Sequence, residues 1–121
     1  MQQNINEIEI NGTKYVRADS IQAAQSVDGM PLVLIRGYGS GVQYGYLAER
    51  NGCEVKLLNS RRIWSWNKAT ECSQIAVTGI DAASSKVTVM APEKVITDAI
   101  EIITITKEAA ANLLAQPVWS K

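Results

Sequence analysis

Twice in this chain an Asn-Gly pair separates two runs of strand-forming residues. Asn11-Gly12 lies between residues 5–10 and 13–17, and Asn51-Gly52 between residues 42–50 and 54–58. Both central residues of a type I′ turn need positive φ, and that turn matches the twist of the strands it joins. The chain is therefore committed to antiparallel pairing. Residues 32–36 are continuously apolar up to Arg36 and predict a central strand. Residues 61–66 and 86–90 add further strands, and the β-branched stretch 94–105 reads as one long strand. The helical signals are short. Thr70 is placed to cap a helix over 71–78, with Gly79 just past its end and Cys72, Ile75 and Ala76 on one face. Thr106 caps a closing helix over 107–116, Pro117 stops it, and Val118-Trp119 forms an anchored tail. Residues 20–24 read as another short helix, and Asp28-Gly29 as a turn. No linker or repeat interrupts residues 1–121, so the expectation is a single α+β domain. Its sheet is mainly antiparallel, of about six or seven strands, curled or barrel-like, with two short helices.

Several function classes are disfavoured by what is missing. The chain contains no His, which removes the commonest metal ligand and the usual general base near neutral pH. Cys53 and Cys72 have no second pair at zinc-site spacing and read as reduced, buried and inert. Neither a metal nor a cofactor is expected, and a non-enzymatic role is favoured. Lys and Arg together number 12, as do Asp and Glu, so no basic excess advertises bulk nucleic-acid binding. No apolar run approaches the ~20 residues that span a bilayer. The N-terminus shows no signal-peptide pattern, so a cytoplasmic location is expected. Short length and zero formal charge lean towards a homo-oligomer.

One segment carries a functional signal. Tyr38, Tyr44, Tyr46, Trp64 and Trp66 fall in the same stretch as Arg36, Arg61 and Arg62. Strand alternation puts Arg62, Trp64 and Trp66 on one face and Arg61, Ile63 and Ser65 on the other. Indole and phenol faces stack on planar bases, and a guanidinium matches a phosphate. The glycine-rich loop 37–41 could add backbone N–H donors. These features suit a planar, anionic small molecule, with Arg62, Trp64, Trp66, Arg61, Arg36, Tyr38 and Tyr44 as candidate contacts. The competing reading is packing: with no Phe in the chain, Trp and Tyr must fill the core, and Arg62 can stack on an indole.

The stretch Leu32-Val33-Leu34-Ile35-Arg36-Gly37-Tyr38-Gly39-Ser40-Gly41-Val42, the run Asn59-Ser60-Arg61-Arg62-Ile63-Trp64-Ser65-Trp66 and Ser73-Gln74-Ile75-Ala76 resemble a known group. It is the family of small, uncharacterised phage and prophage proteins with an Arg-Arg-(Leu/Ile)-Trp-x-Trp core. Ser65 and Cys72 depart from its pattern, where an aromatic and an aliphatic residue are usual. The resemblance implies phage origin and an accessory role in the cytoplasm of an infected bacterial host, and it supplies no activity.

The leading expectation is a binding protein that sequesters a nucleotide-derived host immune signal, such as a cyclic ADP-ribose isomer or a cyclic oligonucleotide. Arg62 is the expected anion anchor. Both arginines can serve one pocket only if the strand bulges at Asn59-Ser60 or a second subunit supplies the other face. The alternative is a protein–protein inhibitor or accessory structural protein, and a nucleotide-cleaving enzyme ranks last.

Overall fold

A computed structural model describes residues 7–10, 13–16, 22–66 and 71–119. The chain runs through β1 (Glu7–Ile10), β2 (Thr13–Val16), β3 (Leu32–Gly37), β4 (Gly41–Asn51) and β5 (Glu54–Ser65). It continues through α1 (Cys72–Thr78), β6 (Lys86–Val87), β7 (Ala91–Ile96), β8 (Ala99–Thr104) and α2 (Lys107–Leu114). β1 and β2 pair by themselves, with Ile10 opposite Thr13. The Asn11-Gly12 turn and the Thr70 cap lie outside the described residues. Glu71 serves as the N-cap of α1, its carboxylate accepting from the Ser73 N–H at 3.0 Å. Thr106 caps α2 through its hydroxyl oxygen as expected.

The other strands form one six-stranded antiparallel sheet in the order β6-β5-β4-β3-β8, with β7 on β5 as well. This is an α+β domain with an open, curled sheet. The curl is imposed at the β7–β8 connection. Ile96 pairs with Val55 in β5, whereas Ala99 pairs with Gly37 in β3. Three residues reach about 10 Å at most, so the two sides of the sheet approach to that distance there. The Ala99 N–H also donates to Cys53 O at 3.0 Å.

Stretch 94–105 is therefore two strands rather than one, broken at Thr97-Asp98. The reason is chemical: Asp98 leaves the ladder so that its carboxylate can hold the β3–β4 loop. The expected short helix over 20–24 is not found in the described part of that stretch. Ala23 bridges Thr106, and the Ala24 N–H donates to Ile105 O at 2.8 Å. The 86–90 strand is confined to β6, and Cys53 is exposed in the β4–β5 turn rather than buried.

Each face of the sheet has its own apolar cluster. Leu32, Leu34, Val42, Tyr44 and Ile63 pack with Cys72, Ile75, Ala76, Ala109 and Leu113 on the helix face. Val33, Ile35, Val55, Leu57, Ile96 and Ala99 fill the inner side of the curl. β3 feeds both clusters, which explains why its sequence is continuously apolar. Each fully buried aliphatic side chain contributes roughly 1.5–3 kcal/mol.

Asn59-Ser60 does not end a strand; it forms a bulge within β5. Tyr46 pairs with Leu58 but Tyr44 pairs with Arg61, so β5 carries an extra residue. Asn59 takes a φ of 52° to accommodate it. The slip changes which side chains face where. Leu57 points inward, whereas Arg61 and Ile63 face the helices and Arg62 turns to the inner side. Gly45 makes the bulge possible, because a Cβ there would lie 3.0 Å from Leu58 O and 3.1 Å from Ser60 Cα.

Candidate functional site

Arg61 and Arg62 follow one another on β5 and end in opposite environments. Arg61 is only 3% exposed. Its Nε–H donates to Thr88 O at 2.8 Å, one Nη to Gln116 O at 2.7 Å and the other to Pro117 O at 3.2 Å. The guanidinium is thus a strap joining β5, the segment after β6 and the chain beyond α2. Tyr44, its cross-strand partner, is 1% exposed and donates its hydroxyl to Leu113 O at 2.5 Å. Burial pushes the Tyr44 phenol up to about 12, with the Arg61 charge opposing the rise. The structure therefore corrects the ligand-contact expectation for these two residues: their polar atoms are spent inside the fold.

Arg62 faces the inner side beside Gln43, its cross-strand partner, and Lys94 of β7. Together with Ser40, Ile96 and Asp98 they line a groove of about 430 Å³, a volume within the range of small-molecule sites. Ile96 also belongs to the inner cluster, so the groove sits at the polar end of the curl. Among the described residues neither Arg62 nor Lys94 has a carboxylate partner. The Arg62 Nε is buried without a hydrogen-bond acceptor. Lys94 donates to Gln43 Oε1 at 2.5 Å, and the Gln43 amide nitrogen donates to Ser40 O at 3.2 Å. Desolvation, and then the Arg62 charge, lower the Lys94 pKa. Two like charges thus share a partly dehydrated groove, an arrangement that an anion would relieve.

The glycine-rich loop enters the groove with its donors already engaged. Asp98 Oδ2 accepts from the Gly39 N–H at 2.6 Å and the Ser40 N–H at 3.0 Å, and Oδ1 accepts from the Ser40 hydroxyl at 2.6 Å. These bonds, led by the one from Ser40, hold the Asp98 pKa below its ordinary value. The expected phosphate cradle of backbone N–H groups is instead filled by this carboxylate. Gly41, with φ of 82°, lets the loop close onto the Arg62 guanidinium, where a Cβ would lie 3.1 Å from Nη2.

The remaining candidates separate. Trp64 is 54% exposed and carries the Arg62 guanidinium 5.0 Å from its ring centroid. Trp119 stacks with Trp64 at 6.1 Å between centroids, and Lys86 lies over Trp119. Trp66 leaves the strand pattern and packs against the helix-face cluster. Arg36 points away from the groove and pairs with Glu101 at 3.6 Å. Tyr38 is exposed at the tip of the β3–β4 loop, next to groove residue Gly39. Of the seven candidates, the groove keeps Arg62, with Trp64 beside it and Tyr38 at its rim. Lys94, Gln43 and Asp98 are the functional candidates that sequence reasoning missed. Of the three, Asp98 carried a signal: it follows Thr97 inside an otherwise β-branched run, marking the turn between β7 and β8.

Among the described residues, no helix is long and apolar enough to cross a membrane, and no three His, Cys, Asp or Glu side chains are grouped to hold a metal ion. Comparison with curated proteins and with solved structures finds no match. A family model does match, over residues 30–113, from the hairpin that precedes β3 to the core of α2. The matched segment holds the bulge, both arginines, the Asp98 turn and every groove residue, and on it the chain belongs to the family described as a domain of unknown function, DUF6948.

Proposed function

We propose that this domain is a non-catalytic binding protein for an anionic, nucleotide-derived small molecule, held in the Arg62–Lys94 groove. The observation that carries the reading is the pair of cations that have no carboxylate partner among the described residues, one with a buried unsatisfied Nε–H. A charge-assisted bond to phosphate would satisfy that donor. Trp64 and Tyr38 provide aromatic surface beside the groove for a base. The biological setting that fits is the one implied by the phage-like motif: sequestration of a cyclic ADP-ribose isomer or a cyclic oligonucleotide in an infected bacterium, by a homo-oligomeric sponge.

The test is a thermal-shift screen against cyclic dinucleotides, cyclic trinucleotides and cyclic ADP-ribose isomers. At 100 times its Kd, a ligand adds about 2.7 kcal/mol of stability. Ligand recovered unchanged after heating the complex supports sequestration, new products indicate catalysis, and a blank screen counts against the reading. A second reading, a protein-contact role, is favoured by the apolar surface around β6. Val89 is 67%, Val118 59% and Met90 44% exposed, near the Trp64–Trp119 stack. A mass of one chain in light scattering would remove the oligomer from the first reading.

A further inference from the structure

The groove is bipolar. Arg62 and Lys94 stand on one side of it, and Asp98 supplies a carboxylate at its loop wall. An anion bound to the cations cannot also rest against Asp98, so whatever reaches that wall must donate hydrogen bonds. The acceptor capacity left there is specific. A carboxylate has about four lone-pair sites. Oδ2 already accepts from two N–H groups, whereas Oδ1 accepts from the Ser40 hydroxyl. Ser40 Oγ, having donated its proton to Oδ1, retains its own lone pairs as acceptors. Two neighbouring acceptors, Asp98 Oδ1 and Ser40 Oγ, thus stand 2.6 Å apart over Gly37, on two residues that line that wall. That is the spacing of two oxygens on adjacent ring carbons of a furanose. The loop bonds fix the carboxylate in place, so little side-chain freedom remains to be lost on binding.

We infer that the ligand joins a phosphate to a ribose with free, adjacent 2′ and 3′ hydroxyls, the phosphate on Arg62 and Lys94 and the diol on Asp98 Oδ1 and Ser40 Oγ. This rests on the binding role proposed above and narrows the ligand class within it. Gln43 acts as a positioning residue, because its buried amide holds the Lys94 ammonium at one end and the Ser40 carbonyl at the other. A phosphate with no diol leaves the Asp98 wall unmatched, and a nucleoside with no phosphate leaves the cations unpaired.

The test uses AMP and 2′,3′-dideoxy-AMP, which share a base and a phosphate and differ only in the two hydroxyls. Calorimetric titration of the full chain should give AMP at least about tenfold tighter binding, the low end for hydrogen bonds to a charged acceptor. In Ser40→Ala the AMP affinity should fall towards that of dideoxy-AMP, while the dideoxy-AMP affinity stays as in the wild type; that retained affinity also reports a folded protein. In Arg62→Ala both should weaken together. Equal binding of the two nucleotides by the wild type, still sensitive to Arg62→Ala, overturns the diol inference and leaves the binding role standing. If neither nucleotide nor pyrophosphate binds the wild type, both are overturned. The wild-type comparison decides the matter even if Ser40→Ala fails to fold.

Discussion

Two consecutive arginines of one strand show how differently this sheet uses its faces. Arg61, on the helix face, has its guanidinium enclosed by backbone carbonyls from the segment after β6 and the chain beyond α2. Arg62, on the inner face, has among the described residues no acceptor for its buried Nε–H and no carboxylate partner. The residue type and the strand are the same, and the fate is opposite. A charge retained where packing does not need it points to recognition, whereas a charge enclosed by carbonyls points to construction. The bulge at Asn59 produces the contrast by assigning Arg61 and Ile63 to the helix face and Arg62 to the groove.

The contrast can be broken first on its structural side. Arg61→Ala should leave the carbonyls of Thr88, Gln116 and Pro117 without donors in a buried setting. Each such loss costs roughly 1–3 kcal/mol, and incomplete burial of Pro117 keeps the expected total near ~3–5 kcal/mol in urea unfolding. An Arg61→Ala protein as stable as the wild type would mean that the strap is dispensable. The next effect is alkaline. The Tyr44 pKa is raised in the fold to about 12 from its ordinary 10.0, so the fold holds this proton more tightly than the unfolded chain does. Stability from this group is fully present below pH 10 and is lost as pH rises to about 12, by roughly 2–3 kcal/mol at 1.36 kcal/mol per unit. Tyr44→Phe should remove that pH dependence and cost about 1 kcal/mol at neutral pH for the lost bond to Leu113 O. The smallest effect sharpens the groove side. Lys94 has a lowered pKa, so affinity for an anion should begin to fall with rising pH before the ordinary lysine range is reached. Lys94→Met should flatten that profile, and an unchanged profile would remove Lys94 from the site.

Much of this architecture was legible in the sequence because it rests on local chemistry. The Asp28-Gly29 turn, the Thr106 cap and the Gly79 stop each act within a few residues. The β4–β5 hairpin was legible too, but it turns at Gly52-Cys53, one residue later than expected: Asn51 stays in β4 opposite Glu54, and of the pair only Gly52 takes a positive φ. Alternation also separated Arg61 from Arg62 correctly. What stayed hidden depends on distant partners. The destination of the Arg61 guanidinium is set by carbonyls more than twenty-five residues away. Asp98 reads locally as a turn residue, but its role as the clamp on Gly39 and Ser40 exists only once β7 and β8 fold back. Trp66 broke the alternation because β5 ends at Ser65, leaving its ring to pack on the helix face. Lys94 carried no signal at all, since a lysine in a strand is ordinarily a solvated edge residue.

The most direct measurement compares the melting temperatures of wild type and Arg62→Ala, each with and without the nucleotide that gives the largest shift in the wild type. The expected result is an unliganded Arg62→Ala protein within about 1 kcal/mol of wild type, as for a partly exposed cation–π contact. Its ligand-induced shift should nevertheless be largely lost, matching ~1.5–3 kcal/mol of lost affinity. The contradictory result is an Arg62→Ala protein that melts early without ligand, as expected for Arg61→Ala, while the wild type responds to no nucleotide. Arg62 would then be a second structural arginine, and the groove would not be a binding site.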